Sequence, residues 1–196
     1  MNKIVEKEYF SDKVIRLVVE NPKIARSRKA GNFVILKIGE KGERFPLTIA
    51  DADPVKGTIT LVVQIVGVSS AKLAALEVGD SITDLVGPLG KPTDIELKGT
   101  ILACGGGVGV APLLPIVEAF KKAGNRVVSV IAARSKDLII LEDQIRRWSD
   151  EARVRDSRSS GFSPKSPRRG GSLPTPRRVG RDFRPAGGCI GRRACS

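Results

Sequence analysis

The hydrophobic period of this chain changes once, near Lys98–Gly99, and that change restricts what the chain can fold into. Before it, short runs of β-forming residues are separated by turn-forming residues, and the segment 69–80 has the spacing of a short helix with serines at its start. The β-rich runs are 13–21, 32–40, 57–67 and 81–90. Short strands at this spacing predict a small antiparallel β-barrel over residues 1–97.

After Lys98 the chain reads as a strand, a helix, a second strand and a second helix. The continuous apolar run 100–107 enters glycines and is followed by helical spacing at 110–125, and the segments 126–135 and 137–150 repeat this order. Such alternation predicts parallel βα units. Because a parallel sheet needs several strands and a cover on both faces, two strands are too few. We therefore expect residues 98–150 to be the first half of an interrupted α/β domain.

The net charge of +13 comes mostly from the last part of the sequence. Residues 151–196 hold 12 Lys and Arg against 3 Asp and Glu, and they are crowded with Pro, Gly, Ser and Arg without strand or helix periodicity. A segment of this composition buries too little apolar area to offset its ordering entropy. We therefore expect a disordered tail from residue 151 onward.

Two explanations of this tail stay open. One is a natural arginine-rich arm that binds the phosphates of RNA or DNA. The other, which we favour, is that the tail is not the native continuation of the fold, for instance an out-of-frame translation of a GC-rich gene. The switch in composition falls inside a βα repeat, whereas natural arms begin after a structural unit has ended. Residues 1–150 carry a net charge of only +4, so a nucleic-acid partner is not expected.

Histidine is absent, which removes histidine metal sites, Ser-His-Asp triads and imidazole bases from the candidate chemistry. No run of about 18 apolar residues occurs, so no membrane association is expected. The N-terminal sequence lacks the features of an export signal, and the chain has three cysteines. These features together predict a cytoplasmic, reducing compartment.

The strongest local motif is the segment ILACGGGVGVAPLLPI at 101–116, which places a buried strand, a glycine loop and a helix in succession. Glycines let the backbone pass beside a pyrophosphate without Cβ clashes, while backbone amides supply donors. The four loop glycines are Gly105, Gly106, Gly107 and Gly109. A glycine-rich turn without a ligand is the alternative, and we favour nucleotide binding.

Three further segments, in order along the chain, resemble the ferredoxin–NADP reductase family. They are GERFPLTIAD at 42–51, QIVGVSSAKLAAL at 64–76 and GPLGKP at 87–92, and the resemblance covers residues 1 to about 150. Within that family the chain is most similar to the electron-transfer subunits of dihydroorotate dehydrogenase, to sulfide dehydrogenase-like subunits and to the alpha subunit of NADH-dependent reduced ferredoxin:NADP oxidoreductase. The resemblance implies an all-β FAD-binding barrel followed by an α/β Rossmann-like NAD(P) domain, which is incomplete here.

For the first segment, the resemblance implies contacts with FAD at every residue from 44 to 48. Arg44 would bind the pyrophosphate through its planar guanidinium. Phe45 would contact the cofactor, Pro46 and Leu47 would line the isoalloxazine ring, and Thr48 would place a catalytic hydroxyl near flavin N5. The motif is short, and a surface arginine before a strand is the alternative.

The other two segments are implied to contact FAD as well. Gly67 would allow close approach of the backbone, while Ser69 and Ser70 would cap a helix whose amides bind phosphate. The third segment would face the flavin and the nucleotide domain through a turn of four residues, Gly87, Pro88, Leu89 and Gly90. A plain capped helix and a simple connection between domains are the alternatives.

Two residues of the nucleotide domain are weaker candidates. Cys104 lies where a catalytic thiol could reach the nicotinamide, although a small buried core residue is the simpler explanation. Arg134 would contact the ribose or phosphate of the nucleotide, with a solvated face as the alternative.

Intact family members carry a 2Fe-2S cluster, which needs four thiolates. Only Cys189 and Cys195 lie downstream, so no cluster or other metal site is expected in this chain.

The resemblance implies an NAD(P)H-dependent flavin oxidoreductase that moves hydride between NAD(P)H and flavin and passes single electrons to an iron–sulfur acceptor. It further implies a heteromer with a larger catalytic flavoprotein or iron–sulfur subunit, with pyrimidine biosynthesis as one setting. We expect the isoalloxazine ring to lie between the barrel and the glycine loop, in one shared cleft. A non-catalytic, truncated flavin-binding fragment is the alternative, and the sequence leaves NADH and NADPH both open.

Overall fold

The computed structural model describes residues 2–156, which lie in one compact unit. The first part of the chain forms six strands, β1 (Ile4–Ser11), β2 (Val14–Glu20), β3 (Phe33–Lys37), β4 (Arg44–Asp53), β5 (Thr58–Gln64) and β6 (Asp84–Leu89). Two short helices, α1 (Pro22–Ser27) and α2 (Val68–Ala74), connect them. All neighbouring strands are antiparallel, and their order in the sheet is β1-β2-β5-β4-β3-β6.

The six-stranded sheet curls until its first strand meets the segment before its last one. The Ile4 amide donates to the Asp80 carbonyl at 2.8 Å, and the Ile82 amide donates to the Asn2 carbonyl at 3.0 Å. The inner face carries the alternate residues of each strand, such as Ile15 and Leu17 of β2, which are fully buried in a single apolar cluster. The antiparallel barrel that the sequence predicts is confirmed.

Two elements of the barrel differ from the predictions. The segment 42–51, expected at the junction between two strands, lies mostly within β4, which pairs with β3 and β5. The predicted helix 69–80 ends at Ala74, because the chain turns there: the Glu77 amide donates to the Asp80 carboxylate at 2.8 Å. Gly79 lies in the following turn with a φ of 104°.

The second part of the chain alternates strands and helices. Its elements are β7 (Thr100–Gly106), α3 (Val110–Lys122), β8 (Arg126–Ala133), α4 (Glu142–Arg147) and β9 (Glu151–Asp156). The three strands pair in parallel in the order β7-β8-β9, which confirms the predicted parallel βα units. The predicted helix 137–150 is shorter, since only Glu142–Arg147 is α-helical.

Strand β9 corrects the expectation that disorder begins at residue 151 and that the sheet has only two strands. Ala152 and Val154 are half-buried beside the core of the α/β part, while Glu151, Arg153 and Arg155 alternate with them and are exposed. A paired strand has a period of two, and in β9 the exposed charged residues made that alternation hard to recognise in the sequence.

Residues 157–196, including Cys189 and Cys195, lie outside the described residues, as do both explanations of the tail. The domain boundary at 97 stays a prediction.

Helix α3 supplies the apolar core between the barrel and the parallel sheet. Its residues Leu114 and Val117 are buried in one cluster with Ile131 of β8 and with Ala50 and Val62 of the barrel strands. α3 is the longest helix in residues 2–156. No helix in that range is both long and apolar enough to cross a bilayer. The packing of α3 therefore fixes the parallel sheet against the barrel.

Asp150 joins three elements of the α/β part. Its carboxylate accepts a hydrogen bond from the Lys121 ammonium at the end of α3, at 2.7 Å, and another from the Val127 amide of β8, at 2.8 Å. Its own amide donates to the Val127 carbonyl at 2.8 Å, immediately before β9 begins. The hydrogen bond from Lys121, followed by that from Val127, holds the pKa of Asp150 below its ordinary value.

This lowered pKa predicts a pH-dependent stability. A carboxyl group whose pKa is lower in the folded state stabilises the fold above its unfolded pKa of about 4, and that contribution is lost as the pH falls through the folded pKa. We expect Asp150→Asn to lower the free energy of unfolding at pH 7, and the gap to wild type to shrink at pH 3. Urea unfolding at both pH values measures it, with Asp12→Asn in the β1–β2 turn as the control. An equal gap at both pH values would contradict the assignment.

Candidate functional site

The outer face of strands β4 and β3 carries three of the predicted FAD ligands. Alternate residues of a strand point to opposite faces, and Leu47 and Ile49 pack into the barrel core. Arg44, Pro46 and Thr48 therefore lie together on the outer face. The register pairs them with Lys37, Ile35 and Phe33 of β3, in that order.

The same alternation separates two predicted ligands from the rest. Phe45 pairs with Leu36, and Leu47 pairs with Val34, and both pack against the inner apolar cluster. The side chain of Leu47 therefore lies on the face opposite that of Pro46, because adjacent residues of a strand point to opposite faces. The contact of Leu47 with the isoalloxazine ring stays a prediction.

Strand β6 extends the outer face beyond β3. Val86 is paired with Ile35 and is 47% exposed, although it is apolar. With Phe33, Ile35, Pro46 and Thr48, it forms a mostly apolar area that we call the outer platform. Sequence inspection missed Phe33, Ile35 and Val86. Strand alternation shows only that their side chains point away from the barrel core. Their position beside Pro46 follows from the strand pairing, which the sequence does not reveal.

Arg44 and Asp84 form an ion pair at the edge of the outer platform. An Arg44 guanidinium nitrogen lies 2.5 Å from an Asp84 carboxylate oxygen, and the two side chains flank Lys37 on the same face. The Arg44 side chain is 54% exposed. The arrangement shows that Arg44 can bind an oxyanion at this edge, and an exposed pair of this kind adds little stability.

The start of helix α2 holds the second set of predicted ligands. The Ser70 hydroxyl accepts hydrogen bonds from the amides of Val66 and Gly67, each at 3.0 Å, and donates to the Gly67 carbonyl at 2.9 Å. It is buried and shapes the turn, with Gly67 rather than a serine as the N-cap. The Ser69 hydroxyl donates to the Glu43 carboxylate at 2.9 Å. Of the two serines, Ser69 is the one that reaches an anion.

Lys7 fixes the other end of α2. Its ammonium donates to the carbonyls of Ala74 and Leu76 and to the Glu77 carboxylate, at 2.8, 2.9 and 2.7 Å, and its side chain is only 4% exposed. Burial lowers the pKa of Lys7, and hydrogen bonds with Glu77 and Tyr9 raise it by more, so that the pKa lies above its ordinary value. Lys7 therefore holds the end of α2 that lies opposite the turn with Ser69 and Ser70.

The segment 87–90 is shaped by close packing against β3. Gly87, Pro88 and Leu89 belong to β6, so Gly87 does not form the tight turn that was expected. A Cβ on Gly87 would lie 2.7 Å from a Val34 methyl carbon. Gly90 has a φ of 84°, and a Cβ there would lie 2.7 Å from the Phe33 ring. Close packing against β3 therefore explains why positions 87 and 90 are glycine.

The glycine loop contains two kinds of glycine. A Cβ on Gly105 would lie 2.9 Å from a Leu113 methyl carbon, so this residue allows β7 to approach α3. For Gly107 and Gly109 no atom lies within 4 Å of that position, and for Gly106 the nearest is the Ala132 carbonyl oxygen at 3.7 Å. Three glycines of the loop therefore leave open space beside the backbone, as a bound phosphate would require.

A cleft of about 1030 Å³ lies at the carboxyl ends of β7 and β8. Gly106, Gly107 and Arg134 line it on one side, and Lys13 and Gln64 of the barrel line it on the other. In open parallel sheets, ligands bind beyond the carboxyl ends of the strands. Of the predicted nucleotide residues, Gly106, Gly107 and Arg134 line this cleft and Gly105 and Gly109 do not. Arg44 and Thr48 are not on its lining either. The structure does not show the single shared cleft that was expected.

Cys104 is exposed, which corrects the explanation of it as a buried core residue. It alternates with the buried Ala103 and lies on the same face of β7 as Leu102, which is 67% exposed. It is not on the lining of the cleft, and its catalytic role stays a prediction.

Residues 2–156 contain no group of three or more His, Cys, Asp or Glu side chains placed to hold a metal ion.

Known proteins resemble this chain over most of the described residues. A homologue of the dihydroorotate dehydrogenase B (NAD(+)) electron transfer subunit from Thermotoga maritima is 42% identical over 162 residues, which are 83% of this chain and 57% of that protein. The electron transfer subunit from Fusobacterium nucleatum is 31% identical over 133 residues, 65% of this chain and 51% of that protein. No family model matches the chain.

A solved structure gives the same result at the level of the fold. The NADH-dependent reduced ferredoxin–NADP oxidoreductase superimposes with a TM-score of 0.80 and 40% identity, over 83% of this chain and 59% of that chain. Over its aligned part, this chain is similar to dihydroorotate dehydrogenase electron-transfer subunits. The predicted family resemblance and the ferredoxin-reductase-like fold are thereby confirmed. The chain spans between half and three fifths of the length of these three proteins.

Glycines required by close packing and glycines beside open space predict stability effects of different size. We expect Gly90→Ala to lower the free energy of unfolding by about 2–4 kcal/mol, because it adds a left-handed φ penalty to a clash with Phe33. Gly106→Ala should change it by less than about 1 kcal/mol, because its φ of −130° suits alanine and the neighbouring space is open. Urea unfolding measures both, and equal losses would contradict this division.

Proposed function

We propose that this chain binds FAD on the outer platform and NADH in the cleft beside the glycine loop, as part of an electron-transfer subunit that passes single electrons to an iron–sulfur acceptor. The observation that carries the proposal is the common outer face of Arg44, Pro46 and Thr48. When bound, FAD supplies the conversion between two-electron and one-electron transfer. The chain's own residues supply binding, orientation and electrostatics.

The outer platform and the polar residues near it fit FAD by two tests. Both polar residues proposed to hold phosphate already bind carboxylate oxygens, Arg44 with Asp84 and Ser69 with Glu43. A phosphate presents the same kind of oxygen acceptor with more charge, so both donors suit it. The apolar carbons of the exposed Pro46 and Val86 and of the half-buried Ile35 offer a surface for a planar ring.

Thr48 is proposed to orient the ring and to place its hydroxyl at the reacting edge of the flavin. It lies on the same face as Pro46, two residues along β4 and opposite Phe33. Arg44 lies two residues before Pro46. A strand rises about 3.4 Å per residue, so Arg44 and Thr48 are about 13–14 Å apart along β4. That span separates a phosphate site from a ring site, as an extended flavin nucleotide requires.

The cleft at the carboxyl ends of β7 and β8 is proposed to hold the nucleotide. The open space beside Gly106 and Gly107 lets a pyrophosphate approach backbone amides, and Arg134 lies where a ribose or phosphate would follow. We propose NADH because the Thermotoga and Fusobacterium relatives are named for NAD(+) and the similar solved enzyme is NADH-dependent.

The acceptor is proposed to be a separate polypeptide. The relatives are named as electron-transfer subunits, so they act in assemblies. We infer a heteromer with a larger catalytic flavoprotein or iron–sulfur subunit, working in the cytoplasm on pyrimidine biosynthesis or ferredoxin-linked electron transfer. The chain's own contribution is the FAD site and the nucleotide cleft.

The FAD proposal predicts that purified chain, mixed with FAD and desalted, keeps the two visible absorption bands of a bound flavin. Arg44→Gln should weaken FAD binding about tenfold, because it removes one charge-assisted contact with phosphate. Arg26→Gln, an exposed arginine on α1, is the matched control and should bind as wild type. Unaltered FAD binding by Arg44→Gln, or no binding by wild type, would contradict the proposal.

The nucleotide proposal predicts that Gly106→Ala weakens NADH binding about tenfold while leaving FAD binding unchanged. The added methyl group occupies the space into which the pyrophosphate would approach the loop amides. Quenching of NADH fluorescence, titrated on the FAD-loaded chain, measures the dissociation constant. The same affinity in both proteins would place the nucleotide elsewhere.

A further inference from the structure

The parallel sheet has one face on which neither α3 nor α4 packs. Paired residues of parallel strands point to the same side, and the row Ala103, Ser129 and Ala152 points to the side of both helices. Two right-handed crossovers that advance in the same direction place their helices on the same face of a sheet. Within residues 2–156, the opposite side therefore stays without a helix, and we call it the uncovered face.

An apolar strip runs over β7 and β8 on the uncovered face. Leu102 of β7 is level with Val128 of β8, and Cys104 is level with Val130. Leu102 and Cys104 are exposed, and the two valines are half-buried. None of the four lines the cleft beside the glycine loop. The strip is therefore separate from the proposed nucleotide site.

Strand β9 borders the apolar strip with arginines. Arg153 is level with Val130, and Arg155 follows two residues later on the same face. Both arginines are exposed, and within residues 2–156 neither forms an ion pair. Glu151, which precedes them on this face, is already paired with Arg126 of β8. The uncovered face therefore combines apolar surface with an excess of positive charge along one side.

The spacing of the uncovered face fits an α-helix that runs along the strands. Neighbouring strands lie about 4.8 Å apart, so β9 is about 10 Å from β7, which matches the width of a helix. Arg153 and Arg155 are about 6–7 Å apart along β9. Residues i and i+4 of a helix are about 6 Å apart along its axis, so two acidic side chains at these positions can each meet one arginine.

We propose that the uncovered face binds an amphipathic helix of a partner polypeptide, which lays its apolar residues on the strip and two acidic residues, at i and i+4, on Arg153 and Arg155. Helices cover both faces of parallel sheets, so a helix is the element that suits this face. A second copy of the chain would present arginines to these arginines, and nucleic acid would gain nothing from the apolar strip. This binding does not depend on the proposed FAD and nucleotide sites.

The test measures binding of a fluorescein-labelled helical peptide to the full chain by fluorescence anisotropy. The peptide has about 18 residues, or five helical turns, with a leucine stripe and two glutamates at i and i+4 on its flank. A matched peptide carries lysines in place of these two glutamates. At an ionic strength of about 0.15 M, we expect saturable binding of the glutamate peptide, and binding of the lysine peptide at least about tenfold weaker.

Variants of the uncovered face locate the binding. Arg153→Gln/Arg155→Gln should bind the glutamate peptide about tenfold more weakly, because it removes both charged contacts. Leu102→Ser should bind it about fivefold more weakly, because it removes apolar surface from the strip. Both variants keep residues 157–196, so any attraction of the peptide to the arginines of that segment is the same as in wild type.

Two controls change exposed residues of the barrel. Lys23→Gln/Arg26→Gln removes two positive charges from α1, and Val55→Ser removes an exposed valine between β4 and β5. Both should bind the glutamate peptide as wild type does. The far-UV circular dichroism of every variant verifies that the fold is retained.

Several results would overturn the proposal. They are the absence of saturable binding by wild type, equal binding of the two peptides, and unaltered binding by either variant of the uncovered face. Self-association of the chain in sedimentation that Leu102→Ser abolishes would assign the face to a second copy instead. Flotation with phosphatidylglycerol vesicles that Arg153→Gln/Arg155→Gln abolishes would assign it to a membrane surface.

Discussion

The packing of α3 against both halves of the chain is the interaction on which the rest of the structure depends. One side of this helix covers the parallel sheet through Leu114 and Val117, and the same cluster includes Ala50 of β4 and Val62 of β5. Because the cluster is shared, the sheet cannot move relative to the barrel without exposing apolar surface to water. The cleft between Gly106 and Lys13 is therefore a fixed feature of the molecule.

The barrel presents its candidate ligands by strand alternation. The residues that build its core and the residues that face outward come from the same strands, so a stable core on the inner face also fixes the order of Arg44, Pro46 and Thr48 on the outer face. α2 is held at one end by Lys7 and at the other by Ser70. The site is thus held by backbone pairing and caps, and loop residues contribute less to it.

The fold was largely predictable from the sequence, and the site only in part. The change of period at Lys98 and the glycine loop predict both fold classes, because local periodicity reports burial directly. The charged residues of β9 obscured its strand pattern, and only its pairing with β8 reveals it. Phe45 and Leu47 were grouped with Pro46 as ligands, since a motif names consecutive residues, whereas a strand divides them between two faces. Ile35 and Val86 could be found only from the register.

The central claim is that the flavin lies on the outer platform, and a crystal structure of the chain soaked with FAD tests it most directly. The account predicts electron density for the isoalloxazine ring over Pro46 and Ile35, with the Thr48 hydroxyl at its edge and the pyrophosphate on Arg44. Density for the ring in the cleft lined by Gly106 and Arg134, or on the exposed face of β7, with the outer platform bare, would contradict it.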